Sequence, residues 1–202
     1  MFRFRMPKNR SCLGLLVVCM ACHGLLGCRT AAVRYRMQTE VGDIHLAVFT
    51  RKAPVTAANF IRYVEEDRFG GARFYRVVRP DNQPDNAVKI EVIQGGLEAA
   101  SKEAGLPPIP HETTAQTGIR HKDGTLSMAR LQPGSASSEF FICINDQPAL
   151  DFGGNRNPDG QGFAAFGRVT RGMDVVRAIQ RGEADGQVLR QRVKITAITK
   201  IR

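Results

Sequence analysis

The feature that most constrains this chain is the number of short segments in which apolar and polar residues alternate, set against only two stretches with helical spacing. Val33, Tyr35 and Met37 alternate with Arg34, Arg36 and Gln38, and Ile44, Leu46 and Val48 alternate with Asp43, His45 and Ala47. Glu40-Val41-Gly42 lies between them, so the pattern predicts a β-hairpin with His45 on its polar, surface face. Further strands are predicted at residues 72–78, 89–96, 124–130, 139–144 and 163–169. In a last strand Val193, Ile195, Ala197 and Ile201 oppose Lys194, Thr196 and Lys200. Many strands and few helices predict an antiparallel sheet that closes on itself or is capped, because an open sheet leaves unpaired edges.

Pro54 opens the first helix, where its missing N–H costs nothing. Ala57, Phe60, Ile61, Val64 and Arg68 recur at helical spacing and predict the inward stripe, Arg62, Glu65 and Glu66 face water, and Gly70-Gly71 is the expected stop. The second helix is expected at 173–181. A turn rich in Pro and Asn at 80–86, a loop at 131–138 and a long surface excursion at 97–117 join the elements.

The N-terminal end is a different kind of sequence. Arg3, Arg5, Lys8 and Arg10 precede an almost uncharged run at 12–26. That run is short for a membrane span, which needs about 20 apolar residues, and it suits the core of a signal peptide. It ends in Leu25-Leu26-Gly27-Cys28, which resembles a bacterial lipobox with Cys28 as the acylated new N-terminus. The organisation this implies is a lipoprotein signal peptide over 1–27, a lipidated tether over 28–32 and one folded domain over 33–202. A plainly cleaved signal and an uncleaved anchor are the alternatives. Arg29 is not the aspartate associated with inner-membrane retention, which points to a domain held at an outer membrane and facing the periplasm.

The 202-residue chain without its leader keeps enough residues for one core and too few for two typical domains. The leader holds four of the 29 Lys and Arg, so the formal net charge of +10 falls to +6. No block of like charge and no nucleic-acid module remains, so the basic balance reads as a solvated surface with no nucleic-acid site. Cys12, Cys19, Cys22 and Cys28 lie in or at the end of the leader, and Cys143 alone remains in the body, as a buried structural thiol. His111, Glu112, His121 and Asp123 lack metal-ligand spacing and read as loop residues, so no metal is expected. Residues 155–160 imitate the start of a calcium loop, but its twelfth position is Phe166 where glutamate is required, so they read as a turn.

An arginine sits inside the predicted strand "ARFYRVV". Period two puts Phe74, Arg76 and Val78 on one face and Tyr75 and Val77 on the other. Alone, such an arginine reads as a surface residue along a sheet edge. Its neighbours change that reading. "FYRVV", "IQGG", "LSMA" and "SSEFFI" follow a helix containing Asn59-Phe60, and "FGRVTRGMDVVRAI" comes after them. This ordered set resembles the cyclophilin-type peptidyl-prolyl cis-trans isomerases from about Val33 to Ile201.

The resemblance implies a mainly β fold, a closed eight-stranded antiparallel barrel capped by two helices, with a peptide groove on its outer face. It also implies isomerisation of X-Pro bonds in unfolded or flexible polypeptides, without cofactor or metal, by a monomer. By position Arg76 is the catalytic arginine, Gln94 orients it, Ala129 keeps the family's alanine, and Phe141 and Leu150 are floor and wall for the proline ring. Val92 stands where methionine is usual, Glu91 where phenylalanine is expected, Arg130 for asparagine, Glu139 for glutamine, Ala149 for a large residue and Phe163 for histidine or tyrosine. The paired changes at 130 and 139 add one charge of each sign, and the expectation is an ion pair between Arg130 and Glu139 that leaves Arg76 free. Because so many groove residues are altered, a proline-peptide-binding or chaperone module with little turnover is the alternative function, and a purely structural envelope protein the third.

Overall fold

The computed structural model describes residues 1–2, 32–98 and 105–201. The signal-peptide core, Cys28 and the tether before Ala32 lie outside the described residues.

The alternating segments form β1 (Ala32–Thr39), β2 (Gly42–Phe49), β3 (Arg73–Val78), β4 (Val92–Gly96), β5 (Thr125–Met128), β6 (Phe140–Cys143), β7 (Ala164–Arg171), β8 (Ala184–Asp185) and β9 (Val188–Ile201). They pair in the order β1-β2-β7-β5-β6-β4-β3-β9, every pair antiparallel, and β9 pairs back onto β1. Eight strands therefore close into a barrel, and the two-residue β8 is an appendage of β9. Closure pairs the backbone groups that an open edge would expose.

Among the described residues the two expected helices are α1 (Pro54–Glu65) and α3 (Met173–Gln180), and a single turn, α2 (Thr114–Thr117), lies between them in sequence. Phe60 of α1 is 1% exposed, and its ring packs against Tyr35, Phe69, Phe140 and Phe166 with centroids 5.3–6.1 Å apart. With Met37, Leu46, Phe74, Ile93 and Leu126 these rings form the main core inside the barrel.

Five local expectations are corrected. Helix α1 stops at Glu65, ahead of the Gly70-Gly71 pair, because Asp67 turns the chain at φ +51°. The N–H of Glu66 still reaches Arg62 O at 3.0 Å and that of Arg68 reaches Tyr63 O at 2.8 Å, so the last carbonyls are satisfied without the glycines and Arg68 falls outside the helix. The inward face of α1 also includes Thr56, Asn59 and Tyr63, polar residues that tolerate burial because each finds a partner. Asn59 Nδ2 donates to Ser137 O at 2.7 Å, and the Tyr63 hydroxyl accepts from Leu106 N at 2.6 Å.

The excursion at 97–117 is not a free surface loop over its second half. Leu106 is buried in the main core, Ile109 bridges Ala136, and Thr113 and Gln116 form a reciprocal cap on α2. In β9 a bulge opposite Gln38 and Thr39 shifts the phase, so Ile198 packs on the core in place of Ala197.

Glu112, expected as a plain loop residue, caps α1 from 56 residues away. Its carboxylate accepts from Val55 N at 3.2 Å, Thr56 N at 2.7 Å and Thr56 Oγ1 at 2.6 Å. The N-cap residue Ala53 has no side-chain acceptor, so Glu112 supplies the negative charge that a helix start favours. Glu112→Ala should therefore cost about 1–2 kcal/mol in urea denaturation, within the usual cost of losing a helix cap. A change below a few tenths would show that the contact contributes nothing.

Candidate functional site

The wall of the barrel carries a second apolar cluster on its outside. In β6 Phe140 and Ile142 point to the main core while Phe141 and Cys143 join Val78, Ile90, Val92 and Leu150, with Ala129 and Phe163 packed against them. Direct cross-strand pairing lines up Arg76 with Gln94, Gln94 with Phe141, and Phe141 with Ser127. A cavity of about 390 Å³ opens over this row, lined among others by Arg76, Ile90, Val92, Gln94, Phe141 and Leu150.

Strict alternation fails in β3, and the failure shapes the site. Phe74 and Val77 both enter the main core, whereas Val78 joins the outer cluster. The pairing of β3 with both β4 and β9 slips between Phe74 and Arg76. Tyr75 is the extra residue of this bulge, so Tyr75 and Arg76 project consecutively from the outer face. The expectation that Phe74 shares a face with Arg76 is thereby overturned.

Arg76 is half-buried and held by neutral groups. Its Nη1 donates to Gln94 Oε1 at 2.7 Å, and its Nε and Nη2 donate to Gln187 Oε1 at 3.0 and 2.5 Å. Both amides are oriented by a second bond: Gln94 Nε2 donates to the Tyr75 hydroxyl at 2.7 Å, and Gln187 Nε2 donates to Asn82 O at 3.1 Å. One N–H on each terminal nitrogen of Arg76 is left for a groove ligand. Burial pulls the Arg76 pKa below the ordinary arginine value, though a guanidinium keeps its proton throughout any working range.

Glu139 completes a chain of hydrogen bonds. The Tyr75 hydroxyl donates to Glu139 Oε2 at 2.6 Å, and Glu139 Oε1 accepts from Glu98 N at 3.0 Å and Ser138 Oγ at 3.1 Å. Burial first, and then the Glu139 carboxylate, push the Tyr75 hydroxyl above its ordinary value, so it remains a donor. The expected Arg130–Glu139 ion pair is absent. The Arg130 side chain is 1% exposed and makes a bidentate pair with Asp159 at 2.8 and 2.9 Å. Its Nε and Nη2 donate to Gly162 O, and its guanidinium lies 5.1 Å from the Phe163 ring centroid. The arginine takes the partner that the adjacent turn at 155–160 brings within its fork, and Glu139 is already consumed by three donors.

The remaining expected residues fall at the cavity with two exceptions, Glu91 and Ala149. Val92, Gln94, Ala129, Arg130, Glu139, Phe141, Leu150 and Phe163 all line it. Glu91 points elsewhere, to Asn145 Nδ2 at 2.9 Å, and Ile90 lines the wall in its place. Ala149 is half-buried and does not line the cavity. Gln187, Tyr75, Ile90 and Arg156 are site residues that sequence reasoning missed. Gln187 sits in the turn before β9, where no spacing connects it to β3; it meets β3 in three dimensions, its side chain at Arg76 and its C=O accepting from Val77 N at 2.9 Å.

Phe141 rests on a buried polar chain. His121, expected as a loop residue, is 1% exposed and stacks on the Phe141 ring with centroids 6.0 Å apart. Its Nδ1 meets Asp151 Oδ1 at 2.8 Å and its Nε2 meets Ser127 Oγ at 2.9 Å. Burial works to raise the Asp151 pKa, but hydrogen bonds from His121 and the charge of Arg120 hold it below the ordinary carboxylate value. Cys143 is buried beside this chain, and burial raises its thiol far above the reactive range. Among the described residues no group of three His, Cys, Asp or Glu side chains is placed to hold a metal.

The sequence pattern of the cyclophilin type peptidyl-prolyl cis-trans isomerase family matches residues 34–200, and the chain belongs to that family. It is 38% identical over 145 residues to a peptidyl-prolyl cis-trans isomerase of Acinetobacter baylyi, covering 71% of this chain and 69% of that protein. It is also 38% identical over 151 residues to peptidyl-prolyl cis-trans isomerase B of Escherichia coli, covering 74% of this chain and 84% of the relative. A crystal structure of a Cryptosporidium parvum cyclophilin-type isomerase superposes with a TM-score of 0.66 at 19% identity, over 85% of this chain and 98% of that one, and shares the fold.

The bonds above fix which pairs of residues are coupled. Tyr75→Phe removes and Glu139→Gln weakens the same hydrogen bond, so their double variant should depart from additivity by about 0.5 kcal/mol or more in thermal unfolding. Glu139→Gln and Arg130→Asn act on different partners and should add to within about 0.5 kcal/mol. The reverse pattern would restore the 130–139 pair.

Proposed function

We propose that this chain catalyses cis–trans isomerisation of X-Pro peptide bonds, with Arg76 as the electrophilic group and Phe141, Val92, Leu150 and Ile90 as the seat of the proline ring. The observation that carries the reading is a guanidinium held by two neutral amides, with donors unspent, at the lip of an apolar cavity.

Resonance stiffens the X-Pro C–N bond and leaves a barrier of roughly 18–20 kcal/mol. As the bond twists, the proline nitrogen pyramidalises and its lone pair localises. A hydrogen bond donated to that nitrogen by a terminal N–H of Arg76 forms fully only in the twisted state, so it lowers the barrier without stabilising the ground state equally. No nucleophile or general base takes part. A charge-assisted bond of about 1.5–3 kcal/mol contributes roughly 10–100-fold. The rest of the acceleration comes from seating the proline on the Phe141 floor, which the buried His121 ring backs.

The location is part of the proposal. The basic leader, apolar run and Leu25-Leu26-Gly27-Cys28 support export, acylation at Cys28 and a periplasm-facing monomer that speeds the folding of newly exported chains. Uncatalysed isomerisation takes tens to hundreds of seconds, slow enough to limit that folding.

In a protease-coupled assay on X-Pro peptides, Arg76→Ala should lower kcat/KM by about 10–100-fold while peptide affinity changes only a few-fold. Peptide binding with no turnover by the parent protein would favour a binding module instead. Mass spectrometry of protein purified from membranes should find Cys28 as a lipid-modified N-terminus; an unmodified N-terminus elsewhere sinks the anchor.

A further inference from the structure

Three guanidinium groups line the cavity, and their charges are treated differently. Arg130 is neutralised by Asp159 and spends its donors on Asp159 and Gly162 O. Arg76 rests on two amides. Arg156 donates through Nη1 to Val88 O at 2.6 Å, and its backbone N–H bonds to Ala149 O at 3.1 Å. Its Nε and Nη2 are unspent. Among the described residues neither Arg76 nor Arg156 pairs with a carboxylate. The acid lining the same cavity, Glu139, is consumed by Tyr75, Ser138 and the Glu98 N–H.

Two half-buried cations therefore face one hollow with neither in an ion pair, and the single negative charge of Glu139 in the same lining leaves an excess of one positive charge. Burial first, and then the charge of Arg76, lower the Arg156 pKa. Repulsion between like charges in a water-poor site is relieved when an anion enters, and a planar fork suits a carboxylate.

We infer that the end of the groove between Arg76 and Arg156 is a carboxylate subsite, selecting X-Pro segments that carry an acidic group beside the proline. The inference rests on the isomerase reading and adds a substrate class to it. The carboxylate comes from an Asp or Glu side chain next to the X-Pro bond or from a chain end just after it.

The test compares matched peptides: Glu against Gln before the proline, Glu against Gln after it, and a free C-terminal carboxylate against its amide. Each pair is assayed with the parent protein, Arg156→Gln and Arg156→Lys. In at least one pair the parent should favour the acidic member by about 3–10-fold in kcat/KM, the worth of a partly exposed charged contact. That ratio should shrink at about 0.5 M salt, where screening is strong. Arg156→Gln should bring it close to one and Arg156→Lys should keep most of it. A parent ratio near one in all three pairs, a ratio undiminished in Arg156→Gln, or equal loss in both variants would overturn the subsite, the last by assigning the effect to the Val88 contact. Absence of turnover with every peptide would fall on the isomerase reading, and the same ratios read as dissociation constants would then decide the subsite alone.

Discussion

Everything in this molecule depends on the sheet closing through the pairing of β1 with β9. A closed sheet has two usable faces and no edge. Inside, Phe60, Phe74, Phe140 and Phe166 fill the barrel. Outside, alternate residues of β3, β4 and β6 build a second, smaller apolar cluster that ends in an open cavity. The groove is thus the reverse side of the core, and its side chains inherit the rigidity of strands fixed from within.

That rigidity explains how a flexible, solvated side chain serves as a fixed donor. Arg76 has a neutral amide on either flank, and each amide is aimed by a further bond, to Tyr75 and to Asn82. The use of neutral partners matters. A carboxylate in the place of Gln94 or Gln187 would hold the guanidinium as well but would cancel the charge that the groove uses. Among the described residues, the carboxylate that lines the same cavity, Glu139, is engaged by three other donors.

Much of this was legible from the chain alone. The alternating segments define the barrel strands to within a few residues, and the ordered motifs around Arg76, Gln94 and Phe141 mark the cavity, because those residues lie opposite one another on neighbouring strands. What escaped were the contacts made across long separations. Gln187 reaches Arg76 from 111 residues away, and Glu112 caps α1 from 56. Such partners leave no period or spacing. Glu139 and Arg130 were misread for a related reason: charge complementarity in a sequence says that a pair can form, while the backbone decides which acid lies within the fork. The phase of β3 was misread because period two assumes a regular strand, and a bulge adds one residue to the count.

The bulge at Tyr75 has a bearing on how the barrel assembles. Were β3 to zip onto β4 one residue out of step, the guanidinium would be turned through the sheet and into a hydrocarbon interior. Stranding an unpaired ion there is penalised by several kcal/mol. The out-of-step hairpin is thus disfavoured, and the charge of Arg76 marks the native register of β3 on β4.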